Sequence, residues 1–164
     1  MKMNTDMRSS NLTKTIQFNI HCVDNGHNAT TYVLAGDTYG KQLGTTPSSE
    51  LAIFDAWNDP IYDEVVAMVH DLLDRTRGVS DCVLLALGAA CDLAPPGYAY
   101  DFTGRIWCPV CGSSNIEYGP DDPPQLSVRS IPHVTHDAWL AATKDEQRQR
   151  IVHILESGKC SARP

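Results

Sequence analysis

Cys108 and Cys111 stand two residues apart in Trp107-Cys108-Pro109-Val110-Cys111-Gly112-Ser113. Thiolates at that spacing can face one ion when the chain between them makes a tight turn, and Gly112 supplies the positive φ such a turn needs. Tetrahedral zinc then needs two more nitrogen or sulfur ligands. His133 and His136, in Pro132-His133-Val134-Thr135-His136, offer a second pair at the same separation. The 21 residues between Cys111 and His133 are enough for one hairpin out and back. The expected site is therefore Cys108, Cys111, His133 and His136 around a structural Zn²⁺. Two thiolates and two neutral imidazoles leave a net charge near zero and no open position, whereas catalytic zinc keeps a water. If only one histidine ligates, another Cys, another His or a water completes the set, and a water would reopen a catalytic reading.

Other groupings are weaker. His21, Cys22 and His27 flank a turn and suggest a second metal site, but adjacent strand residues point to opposite faces. Asp63, His70 and Asp74 share one face of an expected helix, which is also the position of an ordinary solvated face. No Ser-His-Asp elbow, phosphate-binding glycine loop or dinucleotide fingerprint is present. The remaining cysteines, Cys22, Cys82, Cys91 and Cys160, have no informative spacing, and no secretory leader is visible. Unbridged thiols in a reducing, cytoplasmic setting are expected, with Cys82 and Cys91 acting as small core residues.

Several elements must position these groups. Ile16, Phe18, Ile20 and Cys22 alternate with polar residues, Asp24-Asn25-Gly26 is turn chemistry, and β-formers resume at Thr30, so residues 14–35 read as a β-hairpin. Residues 36–44 read as a loop. Thr46-Pro47, followed by Leu51, Phe54 and Trp57, predicts a short helix over 47–57, although a strand at 51–56 also fits. Asp59-Pro60 opens an amphipathic helix to residue 77, closed by Gly78. A buried helix follows over 80–93, stopped by Ala94-Pro95-Pro96-Gly97. Beyond it lie β-prone pieces at 99–107, 114–118 and 126–131, then a short helix at 135–142. The capping box Thr143-Lys144-Asp145-Glu146 starts a final helix over 144–157.

The stretch Cys-Pro-Val-Cys-Gly-Ser resembles the zinc knuckle of zinc-ribbon and treble-clef modules. The likeness covers about residues 100–142. It implies a hairpin at 114–131 after the knuckle and a second ligand pair at the first turn of the helix that Thr135 caps. Cys-Pro-x-Cys also resembles the active site of thioredoxin-like oxidoreductases, with Ile131-Pro132 as the downstream proline. Those enzymes begin a helix at the first cysteine, whereas Gly112 and two serines here favour a turn.

The chain has 164 residues, 42% of them hydrophobic, with 20 acidic and 13 basic groups and a net charge of −7. That length can bury about two-thirds of the unfolded surface, enough for a real core. No apolar run reaches the ~18 residues of a membrane span, and the acidic balance argues against a general nucleic-acid binder. The expected fold is α+β: an N-terminal β-hairpin packed with two or three helices, then a small zinc module and a C-terminal helix. The expected parts are a disordered tail over 1–12, an α+β part over 13–94 and the zinc-binding part over 95–164. The expected function is a cytosolic, zinc-stabilised, non-enzymatic module that binds a protein partner. An inhibitor, immunity or accessory role in a bacterium or phage would suit it. The candidate surfaces are the acidic helix face at 59–81 and the loops 36–45 and 119–124. The alternatives are a zinc hydrolase with an open metal position and a nucleic-acid-binding zinc module, the latter using Arg105, Arg129, Lys144, Arg148 and Arg150.

Overall fold

The computed structural model describes residues 12–36, 38–75, 77–158 and 160. The expected tail over 1–12 lies outside them except for Leu12. Among the described residues the fold is mixed α+β, with two antiparallel sheets, four helices and no barrel. β1 (Leu12–Cys22) pairs along one edge with β2 (Asn28–Leu34), as the alternation and the Asp-Asn-Gly turn predict. Its other edge is shared by two short strands. β5 (Ile116–Pro120) covers Phe18–Cys22, and β6 (Leu126–Ser130) covers Leu12–Ile16. β5 and β6 thus act as one interrupted strand. The interruption at 121–125 contains the cis Asp122–Pro123 bond, and Gln17 N donates to Gln125 O across it at 3.1 Å.

The second sheet corrects the expected helix over 47–57. β3 (Lys41–Thr45) and β4 (Leu51–Asp55) form a hairpin there, so the strand reading of 51–56 is the one realised. Two facts explain it. Ala52, Ile53 and Phe54 are all buried, so both faces of this segment are covered and helical spacing carries no information. Gly44, opposite Ala52, leaves room for the Phe102 ring, which a Cβ there would meet at 2.6 Å. The polypeptide at Pro132–Val134 runs parallel to β4, with Ile53 N donating to Pro132 O and Val134 N to Ile53 O.

The helices start where their patterns put them, but the first two end about four residues before the expected 77 and 93. α1 (Ile61–Leu73) buries Ile61, Val65, Val69 and Leu73, one stripe at helical spacing. It ends at Asp74, which takes the left-handed conformation at φ 49°. α2 (Ser80–Ala89) buries Cys82, Val83, Ala86, Leu87 and Gly88, half of its residues. α3 (Asp137–Leu140) is a single turn, and α4 (Lys144–Ser157) carries the expected capping box, with Thr143 and Glu146 capping each other's backbone N–H. The expected strand at 99–107 is reduced to one bridge between Asp101 and Thr45. α1, α2 and α4 enclose a core with Phe54, Phe102 and Trp139. Residues on either side of position 95 contribute to this core and to the four-stranded sheet. No described helix is long and apolar enough to cross a membrane.

One cysteine expectation is corrected. Cys82 on α2 and Cys160 beyond α4 form a disulfide, their Cα atoms 5.7 Å apart. The fold brings the C-terminal segment back over α2, so two cysteines 78 positions apart become neighbours without any local spacing to announce them. Cys91 stays a buried thiol, donating to Leu87 O at 3.2 Å, and burial first, then Asp59 and Asp92, pushes its pKa far up.

Candidate metal centre

The register of β1 with β5 builds the centre. Pairing Cys22 with Ile116 lays the segment before β5 against the β1–β2 turn, and Val23 N donates to Asn115 O at 2.9 Å. Cys108 and Cys111 are thereby brought to Cys22 and His27. The four ligand atoms all lie within 4.8 Å of one another. Cys22 Sγ is 3.6 Å from Cys111 Sγ, and Cys108 Sγ is 3.6 Å from His27 Nδ1. A tetrahedron with metal–sulfur bonds of about 2.3 Å and metal–nitrogen bonds of about 2.05 Å has edges of about 3.8 Å and about 3.5 Å respectively. The residues therefore fit a four-coordinate ion.

The two loops are built alike. Gly26 N donates to Cys22 O and Gly112 N donates to Cys108 O, each at 2.8 Å. Cys22 N donates to His27 O and Cys108 N to Ser113 O, again at 2.8 Å. Both glycines are left-handed, at φ 68° and 73°. Each turn is thus a Cys-x-x-x-Gly unit closed by its own backbone hydrogen bonds. In the second loop the fourth position is Cys111. In the first it is Asn25, whose Nδ2 donates to Cys111 Sγ at 3.3 Å, while the ligand follows the glycine as His27.

A carboxylate ties the loops together. Asp24 Oδ2 accepts from Ser113 Oγ at 2.5 Å and Oδ1 from Asn115 Nδ2 at 2.6 Å. These two bonds hold its carboxyl below the usual range. Cys22 and Cys108 are buried and Cys111 is exposed. Burial pushes the Cys22 thiol up. Hydrogen bonds from the Ser113 backbone and then from Asn25 pull Cys111 down to about 6. A thiol already ionised at neutral pH is a ready metal ligand.

The structure does not bring His133 and His136 to this centre. His133 is exposed and lies beside Ile53. His136 is spent elsewhere: Nδ1 meets Ala90 O at 2.6 Å and Nε2 meets Asp59 Oδ2 at 2.7 Å. With both ring nitrogens engaged, it fastens the N-terminus of α1 and the end of α2 to α3. The sequence reading left Cys22 and His27 in a separate site. His21 does point away, to Asn28. The signal for joining Cys22 to the knuckle was the repeated Cys-x-x-x-Gly, present at 22–26 and 108–112.

The other groupings gather no ligand set: among the described residues, Cys22, His27, Cys108 and Cys111 are the metal-competent cluster. Of the basic residues named for nucleic acid, Lys144 pairs with Glu64 and Arg148 with Asp71, which also neutralises part of the acidic α1 face. Arg150 donates to Ala138 O, and Arg129 lies over the Tyr32 ring. Compared with protein-family models, curated proteins and solved structures, the chain matches none.

Proposed function

We propose that the centre holds one structural Zn²⁺ through Cys22, His27, Cys108 and Cys111, and that the protein is a non-enzymatic module that binds another protein. The observation that carries this reading is the gathering of one nitrogen and three sulfur atoms within 4.8 Å of one another. Four protein ligands leave no position for a reacting water, so the metal's work is to fasten two loops that have little apolar core of their own. Three thiolates favour zinc over the oxygen-seeking Mg²⁺ and Ca²⁺.

A binding role draws support from the surface. Tyr39 and Trp57 are 81% and 67% exposed, yet their rings sit 5.2 Å apart in a tilted pair. Exposed, preorganised aromatics of this kind are characteristic anchors of protein interfaces. The pair lies next to the 36–45 segment, one of the surfaces expected from the sequence.

Elemental analysis with native mass spectrometry tests the metal: one zinc per chain is expected, and none would overturn the centre. Cobalt substitution then reports coordination, and a five- or six-coordinate spectrum would return the open, hydrolytic reading. For the binding role, photocrosslinking from position 39 in a lysate of the native host should capture one protein partner, lost in Trp57→Ala. Labelling that survives Trp57→Ala would count against this surface.

A further inference from the structure

Beside the metal centre, a cleft of about 360 Å³ runs between β2 and β3, roofed by the segment 102–109. Its volume lies at the lower end for small organic ligands. Phe102, Trp107 and the ring of Tyr32 are among its walls, and more of its lining is apolar than polar. Its charged members are Lys41, Arg105 and Arg129, and no described residue lining it is acidic. In a chain with 20 acidic and 13 basic groups, an all-cationic rim runs against the composition.

These cations are not used to hold the fold together. The ion pairs among the described residues join His136 to Asp59, Lys144 to Glu64 and Arg148 to Asp71, and none of the three rim cations takes part. Arg129 is held by stacking, its guanidinium carbon 3.9 Å from the centre of the Tyr32 ring, which leaves its N–H donors at the edge of the cleft. Lys41 feels Asp55, its partner in the β3–β4 register, only at Coulombic range.

An apolar, aromatic interior beneath a cationic rim has one chemical complement. We propose that this cleft binds a small organic anion, with its aromatic or alkyl body against Tyr32 and Trp107 and its carboxylate, sulfonate or phosphate at Arg105, Arg129 and Lys41. An inorganic anion would leave the apolar walls uncovered, and a neutral apolar ligand would leave the cations without a partner. Cys108, a ligand of the metal centre, belongs to the roof segment but is not among the lining residues, and metal content measured on each sample separates loss of the centre from loss of anion binding.

The test uses two dyes that share one aromatic body. 8-Anilinonaphthalene-1-sulfonate carries an anion, and N-phenyl-1-naphthylamine does not. Fluorescence titration of the full chain should show saturable binding of the sulfonate, one per chain, at least tenfold tighter than the amine. Arg105→Gln should weaken the sulfonate about two- to fivefold, because each rim charge is partly screened by water. The combined Lys41→Gln, Arg105→Gln and Arg129→Gln variant should weaken it at least tenfold and leave the amine unchanged. Arg148→Gln, far from the cleft in an α1–α4 pair, should leave both dyes unchanged. Circular dichroism and metal content on the same samples establish that each variant is folded. Equal affinity for the two dyes, no saturable sulfonate binding, indifference to the triple substitution, or an equal loss in Arg148→Gln would each overturn the proposal.

Discussion

Replacing His27 by alanine should strip the centre of its metal, whereas replacing His136 by alanine should not. The structure gives the reason: His27 Nδ1 stands 3.6 Å from Cys108 Sγ, while both nitrogens of His136 are bound to Ala90 and Asp59. Structural zinc sites bind with roughly 10–16 kcal/mol at neutral pH. One ligand of four carries about a quarter of that, roughly 3–4 kcal/mol, or a loss of about 10²–10³ in affinity. His136→Ala should instead cost stability, about 1–3 kcal/mol, because it leaves the buried Ala90 carbonyl without its side-chain partner and the Asp59 carboxylate with only the Ile61 N–H. The assay is competition against a chromophoric chelator, read beside a thermal melt. His27→Ala should surrender its metal at a chelator concentration where wild type and His136→Ala keep theirs. Wild-type affinity in His27→Ala, or an equal loss of metal in His136→Ala, would refute the ligand assignment.

Four further outcomes follow from the same geometry. Asp24→Ala removes the clamp between the two loops and should weaken metal binding about 10–100-fold without touching a ligand, as measured by the same competition. In metal-stripped protein, Cys111 should be alkylated by iodoacetamide with a rate midpoint near pH 6. The thiolate is the reactive form, so the rate must rise with pH through that value, and a midpoint near 9 would contradict the hydrogen-bonded thiolate. Gly88→Ala should destabilise α2, because its Cβ would stand 2.2 Å from the Tyr100 carbonyl oxygen, and chemical denaturation should show a loss of about 1–3 kcal/mol. Cys160→Ser opens a cross-link spanning 78 positions and should lower stability by up to roughly 4.5 kcal/mol in the chain-entropy account, with a matching fall for wild type in reductant.

Much of this architecture was legible from local chemistry. The β1–β2 hairpin followed from alternation and a turn signal, and α1 and α4 from their apolar stripes, with a capping box at the start of α4. All are short-range patterns. The knuckle at 108–111 was legible for the same reason. Its partners were not, because they depend on which strand covers the free edge of β1. Nothing near Cys22 says that Ile116 will be its neighbour. The pairing of His133 and His136 with the knuckle rested on spacing and on the likeness to zinc-ribbon and treble-clef modules, and neither carries information about whether a ring nitrogen is already bound. Likewise Cys82 and Cys160 meet only because α4 packs on α2. The β3–β4 hairpin was obscured because a strand buried on both faces loses the period of two that would distinguish it.

The interrupted strand made by β5 and β6 has a consequence for synthesis. β1 is the central strand of its sheet, but Ile116 follows Cys22 by 94 positions. At roughly 5–20 residues per second, the ribosome takes roughly 5–20 seconds to deliver what covers that edge. During that interval the hairpin presents an unpaired row of backbone donors and acceptors, beside a cysteine and a histidine that have half of a metal site. Newly made chains at high density would meet one another edge to edge in that window. The nascent hairpin, rather than the finished fold, is therefore the stage at which this open edge is exposed.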